Sequence, residues 1–322
     1  MPEVTEIDVP AGAAMGVTVE GATSAWPGAV DTAVLPDVDV FNRQRRYIDV
    51  FSRGGVPFPF SATANAPWVV LTPSHGVVRK EQRVWVSVDW SKAPKEASEA
   101  EVKIRGTGED VTVRLKALNP SKPTKADLHG FVEANGYVSI EAEHYIKKID
   151  AGAVRWEKIA DYGRTLSAMM VSPVTAASVT PPQGSPCLEY QMYLFDSGKV
   201  DVEAIVAPTL NFVPGRGLRY AISFDDQPPQ VVDVLAQNSQ HDWEESVKDS
   251  VRKSTSTHTL DKAGVHTLKF WMLDPGLVLE KIVVDLGGVQ PSYLGPPESY
   301  RAVASVQKAP PKTSHRSKRS RR

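Results

Sequence analysis

Apolar and polar residues alternate with period two along many short stretches of this chain. Residues 46–51, 58–63, 83–89 and 110–116 all do so. Each puts its apolar side chains on one face of an extended strand. Within residues 84–90, Val84, Val86 and Val88 share a face and Trp85 takes the other, so Trp85 and Trp90 read as packing residues. One buried face and one wet face is the mark of antiparallel sheets. Turn residues punctuate the stretches at Arg53-Gly54-Gly55, at 73–76 and at Gly106-Thr107-Gly108. Short strands at this spacing predict an immunoglobulin-like sandwich over residues 1–118.

The pattern stops at residue 119. Residues 119–125 carry two prolines and no apolar side chain, which predicts a linker over 119–135. Alternation resumes in 137–143, 187–194, 199–206, 218–224, 264–271 and 277–285. Val200, Val202 and Ala204 fall on one face, with Asp201 and Glu203 opposite; Leu218, Tyr220, Ile222 and Phe224 form a second apolar row. These strands predict a jelly-roll-like sandwich over residues 136–299. The fold class is therefore all-β, two antiparallel β-sandwiches in tandem. Residues 242–251 interrupt it with a helical stripe of Trp243, Val247 and Val251, where Asp242 and Glu245 resemble a capping box. The stretch 300–322 is expected to be a disordered basic tail that builds no core. No acidic residue follows Glu298, and residues 308–322 are strongly basic.

Composition narrows the function. A formal net charge of −1 gives the average surface no long-range field for nucleic acid or a membrane. Cys187 is the single cysteine, so an intrachain disulfide and a cysteine zinc cluster are excluded. No apolar run approaches the roughly 20 residues of a membrane span. Residues 1–10 lack the basic start and apolar stretch of a secretory signal. The expectation is either a protein that stays inside the cell or a piece of a longer chain. The seven histidines form no HExxH, and neither GxSxG nor GxGxxG is present. Gly215, Gly217, Gly287 and Gly288 are turn glycines.

Some longer runs carry a resemblance. Residues 266–276 begin His266-Thr267-Leu268 and end Asp274-Pro275-Gly276; Lys281 to Gly288 and Pro291 to Ser299 follow. With residues 41–51, 137–145 and 162–168, they resemble the C-terminal region of glycoside hydrolase family 115, the xylan α-1,2-glucuronidases. The resemblance implies glucuronoxylan, or acidic xylo-oligosaccharides, as the substrate context, and an extracellular or periplasmic setting. It also implies a catalytic barrel that this sequence does not contain, so no catalytic residue is carried over. The second sandwich is similar to carbohydrate-binding modules of families 6 and 35.

Candidate sites follow from residue chemistry and that similarity. Glu141 and Glu143 lie on one face of the first strand of the second sandwich, and Asp285 lies on its last strand. Three carboxylates there would suit structural calcium, and the similar modules imply such a site. The competing reading is an acidic face paired with Lys and Arg. Trp156, Tyr162, Tyr190, Tyr193, Trp243 and Trp271 are candidate sugar platforms or core residues. Arg164, beside Gly163, would clamp a uronate carboxylate with two parallel hydrogen bonds, or pair with a local acid. The carbohydrate set is thus Trp156, Tyr162, Arg164 and Trp243. Arg43, Arg45 and Arg46 form a basic cluster suited to contact another domain. The basic tail is either a polyanion ligand or a solubilising end.

The functional expectation is a non-catalytic accessory module of an α-glucuronidase-like protein. It would hold a glycosidase catalytic domain or a second protomer, and contact xylan. The alternative is a free-standing carbohydrate-binding, lectin-like protein.

Overall fold

The computed structural model describes residues 9–302. Residues 1–8 and the basic run 308–322 lie outside the described residues. Among the described residues are 23 strands and one α-helix, so the fold is all-β.

The first pair of sheets uses the alternating stretches as expected. One sheet orders Met15–Val19, Arg46–Ser52, Glu81–Val88 and Val69–Thr72. The facing sheet centres on the long hairpin of Glu96–Gly106 with Glu109–Asn119, flanked by Phe58–Ala64. Ile48, Val50, Val84, Val102, Ile104 and Val113 meet between them, almost wholly buried. Two short strands, Ala33–Val34 and Val38–Asp39, pair with Glu109–Asn119 in parallel, where antiparallel pairing was expected.

The second pair is larger. A seven-stranded sheet contains Cys187–Leu194, Gly264–Met272 and Arg219–Phe224. A six-stranded sheet contains Val278–Asp285, Gly198–Val206 and Arg252–Leu260, with Tyr137–Glu141 added antiparallel to Val278–Asp285. The rows read from the sequence face inward. Val200, Val202, Ala204, Tyr220, Ile222 and Phe224 are fully buried in one core.

Two stretches expected outside the sandwiches belong to a sheet. Gly130–Val132, within the expected linker, pairs in parallel with Cys187–Leu194. Arg301–Ala302, at the start of the expected tail, pairs antiparallel with it. The cause is burial: Phe131 and Val132 have no exposed surface, and extended backbone is the state in which two consecutive apolar residues reach two different cores. Gly130 makes the entry possible. At φ +76° it passes so close to the Gln191 carbonyl that any Cβ would collide with it.

The helix spans Gln240–Asp249, and its N-cap is Ser239, not Asp242. Asp242 is the third residue of the helix, and its carboxylate accepts a hydrogen bond from the Ser239 amide to complete the capping box. The expected apolar stripe does not anchor the helix. Val247 is half exposed, Val251 lies beyond the last turn, and Ser246 is the buried position.

The two pairs of sheets meet at an apolar seam. Phe41 of the first stacks on Phe195 of the second, ring centroids 5.7 Å apart. Leu128, Val132 and Ala302 pack around them. Asn42 Nδ2 donates to the Glu133 carbonyl at 3.1 Å beside this seam. Phe41→Ala should lower the unfolding free energy by about 3–5 kcal/mol, measured by urea denaturation. A loss below about 1 kcal/mol would mean that the seam does not hold the halves together.

Candidate functional site

Strand register decides the fate of the expected calcium ligands. Glu141 sits opposite Lys281, whereas Asp285 sits opposite Tyr137. Four strand positions, roughly 13 Å, separate Asp285 from Glu141. The three carboxylates do not converge, because each is already used locally. Lys281 Nζ approaches Glu141 Oε1 at 3.0 Å, both side chains almost completely buried. Thr165 Oγ1 donates to the same oxygen at 2.6 Å. Glu143 pairs with Lys158, which holds its carboxyl below the usual range. Asp285 Oδ1 accepts the amides of Gly287, Gly288 and Val289 and so ties the following turn. Among the described residues no group of three His, Cys, Asp or Glu side chains is placed to hold a metal ion. The set Glu141, Glu143 and Asp285 does not fit calcium.

A carboxylate that sequence reasoning passed over lies next to this pair. Glu280 is 5% exposed, and its Oε2 accepts the Arg164 amide at 3.1 Å. Burial pushes its carboxyl up, and the charge of Glu141 adds to the effect. Gly163 lets the loop pass here, since its φ of +149° and the nearby Leu166 carbonyl and Glu280 carboxylate leave little room for a side chain.

Arg164 ties three segments rather than waiting for a uronate. Its Nε donates to the Asp249 carbonyl at 3.1 Å, and its Nη2 reaches the same oxygen. Asp249 ends the helix, so the cation meets an orphan carbonyl at the negative end of the helix dipole. Nη1 donates to the Tyr293 carbonyl, and the guanidinium lies 4.3 Å from the Tyr293 ring centroid. The expected fork on a ligand carboxylate is therefore spent on main chain.

Arg164 holds the Tyr293 ring, and exposed apolar residues flank both in the chain. Tyr162 is 45% and Tyr293 67% exposed, with Leu166 and Leu294 beside them, also exposed. The other expected platforms are elsewhere. Trp156 is in the core, edge-on to Phe270 with centroids 6.0 Å apart. Tyr190 is fully buried and its hydroxyl donates to the Ala142 carbonyl. Trp271 is buried, and its indole nitrogen donates to Ser223. Tyr193 packs at the seam. Trp243 is half buried on the helix, about 9 Å of helical rise from the carbonyl that Arg164 grips. Of the four expected carbohydrate residues, Tyr162 and Arg164 share one loop, whereas Trp156 is in the core and Trp243 is on the helix. Tyr293 was missed; its signal was an aromatic side chain inside the turn-rich segment 291–297.

The basic cluster also divides. Arg46 is 5% exposed and bonds Glu20 at 2.9 Å, the Asp37 carbonyl at 2.6 Å and the Asn135 side chain. Arg45 lies outside, its guanidinium 4.4 Å from the Trp85 ring centroid. Arg83 covers Tyr47 at 3.8 Å and makes two hydrogen bonds of 2.7 Å to Asp49. Arg45, Trp85, Arg83 and Tyr47 thus form a ladder on the outer face of the first sheet.

The model of the glycosyl hydrolase family 115 C-terminal domain matches residues 130–298. The chain belongs to this family. The match covers the second pair of sheets, the Glu141–Lys281 pair and the Arg164 rim. No curated protein matches the chain. Among solved structures, a family GH115 4-O-methyl-α-glucuronidase with specificity for decorated arabinogalactans is 17% identical, over 44% of this chain and 17% of that one, with a TM-score of 0.33. A family 35 carbohydrate-binding module from Clostridium thermocellum is 18% identical, over 46% and 97%, at 0.31. The module CBM6cm-2 from Cellvibrio mixtus lichenase 5A, in complex with cellotriose, is 15% identical, over 46% and 95%, at 0.30. This family 115 chain therefore spans about a sixth of the length of the glucuronidase it matches.

Lys281→Met leaves the Glu141 charge buried without its partner and should cost about 3–5 kcal/mol. Adding Glu141→Gln should recover most of that in denaturant titrations, and failure to recover it would show that the pair is not the cause. Glu280 gives a pH signature. Its carboxyl titrates higher when folded than when unfolded. Its favourable contribution is therefore complete below the unfolded value and is lost as pH rises through the folded one. Glu280→Gln should raise the melting temperature relative to wild type at neutral pH. That gain should close in acid, and a gain independent of pH would contradict the assignment.

Proposed function

We propose that this chain is a non-catalytic accessory module of a family 115 glycoside hydrolase, with glucuronoxylan or its acidic oligosaccharides as the glycan it contacts. The observation that carries the reading is the match over residues 130–298 to the C-terminal domain of a hydrolase family. Two surfaces support a division of labour.

The Arg164 rim suits a sugar. Tyr162 and Tyr293 offer ring area to the C–H faces of a pyranose, and aromatic contact costs little conformational entropy. Main-chain bonds fix Arg164, so the rim is organised before a ligand arrives. The arginine–aromatic ladder of Arg45, Trp85, Arg83 and Tyr47 suits a protein surface, because Arg, Trp and Tyr dominate the energetics of interfaces. Its partner is a glycosidase catalytic domain or a second protomer. The alternative, a free-standing carbohydrate-binding protein, would use the rim alone.

Isothermal titration with aldouronic xylo-oligosaccharides tests the glycan limb. Binding should weaken at least about tenfold in Tyr162→Ala and in Tyr293→Ala, a loss of about 1.4 kcal/mol or more. Arg164→Ala is a poor probe because it also unties the helix end. Absence of heat with the folded wild-type chain at millimolar sugar would overturn sugar binding.

A further inference from the structure

A groove of about 1470 Å³ runs along the junction of the two sandwiches. Eight carboxylates and one guanidinium line it; Glu20 pairs with Arg46, Asp37 with Lys116 and Glu298 with His144, which leaves five carboxylates without an ion pair among the described residues. Two of the carboxylates are nine-tenths buried: Asp39 is 6% exposed and Glu133 3%. Asp39 is satisfied only by neutral donors, the side chains of Asn42 and Gln44 and nearby amides. Glu133 Oε2 accepts the amides of Phe195 and Asp196. Among the described residues neither has an ion pair, and the one guanidinium, Arg46, pairs with Glu20. Burial pushes the Glu133 carboxyl up, and the Asp196 and Asp39 charges push it further. Buried charge of one sign without a counter-charge is costly, so the groove is built for a cation from outside the described residues.

The sequence contains a matching one. Residues 308–322 hold seven Lys and Arg and no Asp or Glu, a formal +7. They follow a stretch that forms the groove's own wall, since Glu298, Ser299 and Tyr300 line it. Five residues, 303–307, separate Ala302 from Lys308, a reach of at most roughly 20 Å. Such a short tether gives the segment a millimolar effective concentration at the groove. We propose that residues 308–322 dock in this groove of their own chain and supply its missing counter-charge.

Zero-length carboxyl-to-amine cross-linking of the full chain, read by peptide mass mapping of the monomer, tests this. The expected result is linkage of Lys308, Lys312 or Lys318 to Asp31, Glu96 or Asp196 on the groove, with a yield that falls as salt is raised. A labelled peptide of residues 308–322 gives the second measurement. It should bind a full-length variant whose tail Lys and Arg are replaced by Ser at least tenfold more tightly than it binds wild type. Asp31→Asn with Asp196→Asn, both exposed positions that folding tolerates, should weaken that binding severalfold. Linkages scattered over exposed acids away from the groove would overturn the proposal. Linkages formed only between two copies would overturn it too. So would equal peptide binding to wild type and tail variant, or magnesium displacing the peptide at concentrations that merely match its charge.

Discussion

The guanidinium of Arg46 is the contact on which the arrangement of the two sandwiches turns. It starts a strand of the first sheet, yet it is buried and reaches Glu20, the Asp37 carbonyl and Asn135 at once. A buried cation tolerates few geometries, because each lost hydrogen bond leaves desolvated charge behind. An arginine meets the demand where a lysine would not, since its planar fork addresses three acceptors in different directions. The seam of Phe41, Phe195, Leu128 and Val132 supplies apolar adhesion without direction, and Arg46 fixes the register. The groove lies at the junction that these contacts hold, with Arg46 and Phe41 among the residues that line it.

The same logic holds for two buried charges of the second sandwich whose partners are specified. Glu141 has Lys281 and Thr165, and Asp274, fully buried, has Arg219 at 2.8 Å. Arg164 ends a helix and props a loop with a single side chain. These residues look functional in sequence because they are polar amid apolar runs, but their first duty is structural. The parts left for a ligand are what the scaffold does not consume, namely the exposed rings of Tyr162 and Tyr293.

Much of the fold was legible from residue alternation, since period two follows directly from which side chains must leave water. The inner rows at Val200–Ala204 and Leu218–Phe224 were read correctly for that reason. Register was not legible. Glu141 and Asp285 lie on adjacent strands as expected, but periodicity cannot say which residue faces which, and a four-position offset separates them. Nor does alternation reveal which aromatic residues are inside. Trp156 and Tyr162 are near in sequence, yet one fills a core and the other stands in solvent. The strand at Gly130–Val132 was hidden by the prolines before it, which signal a linker for the residues they precede but say nothing of its end. The cap at Ser239 was missed because Asp242 carries a similar signal three residues later.

The pairing of Gly130–Val132 with Cys187–Leu194 and Arg301–Ala302, and of Tyr137–Glu141 with Val278–Asp285, sets an order of events during synthesis. The strands that open the second sandwich wait for partners that leave the ribosome about 60 to 170 residues later. Contacts so distant along the chain are entropically dear and slow to form. Until then Phe131, Val138 and Ile140 have no sheet to cover them. The first sandwich finds all its strand partners between Met15 and Asn119, so it can complete itself while its neighbour is still an unpaired, aggregation-prone ribbon.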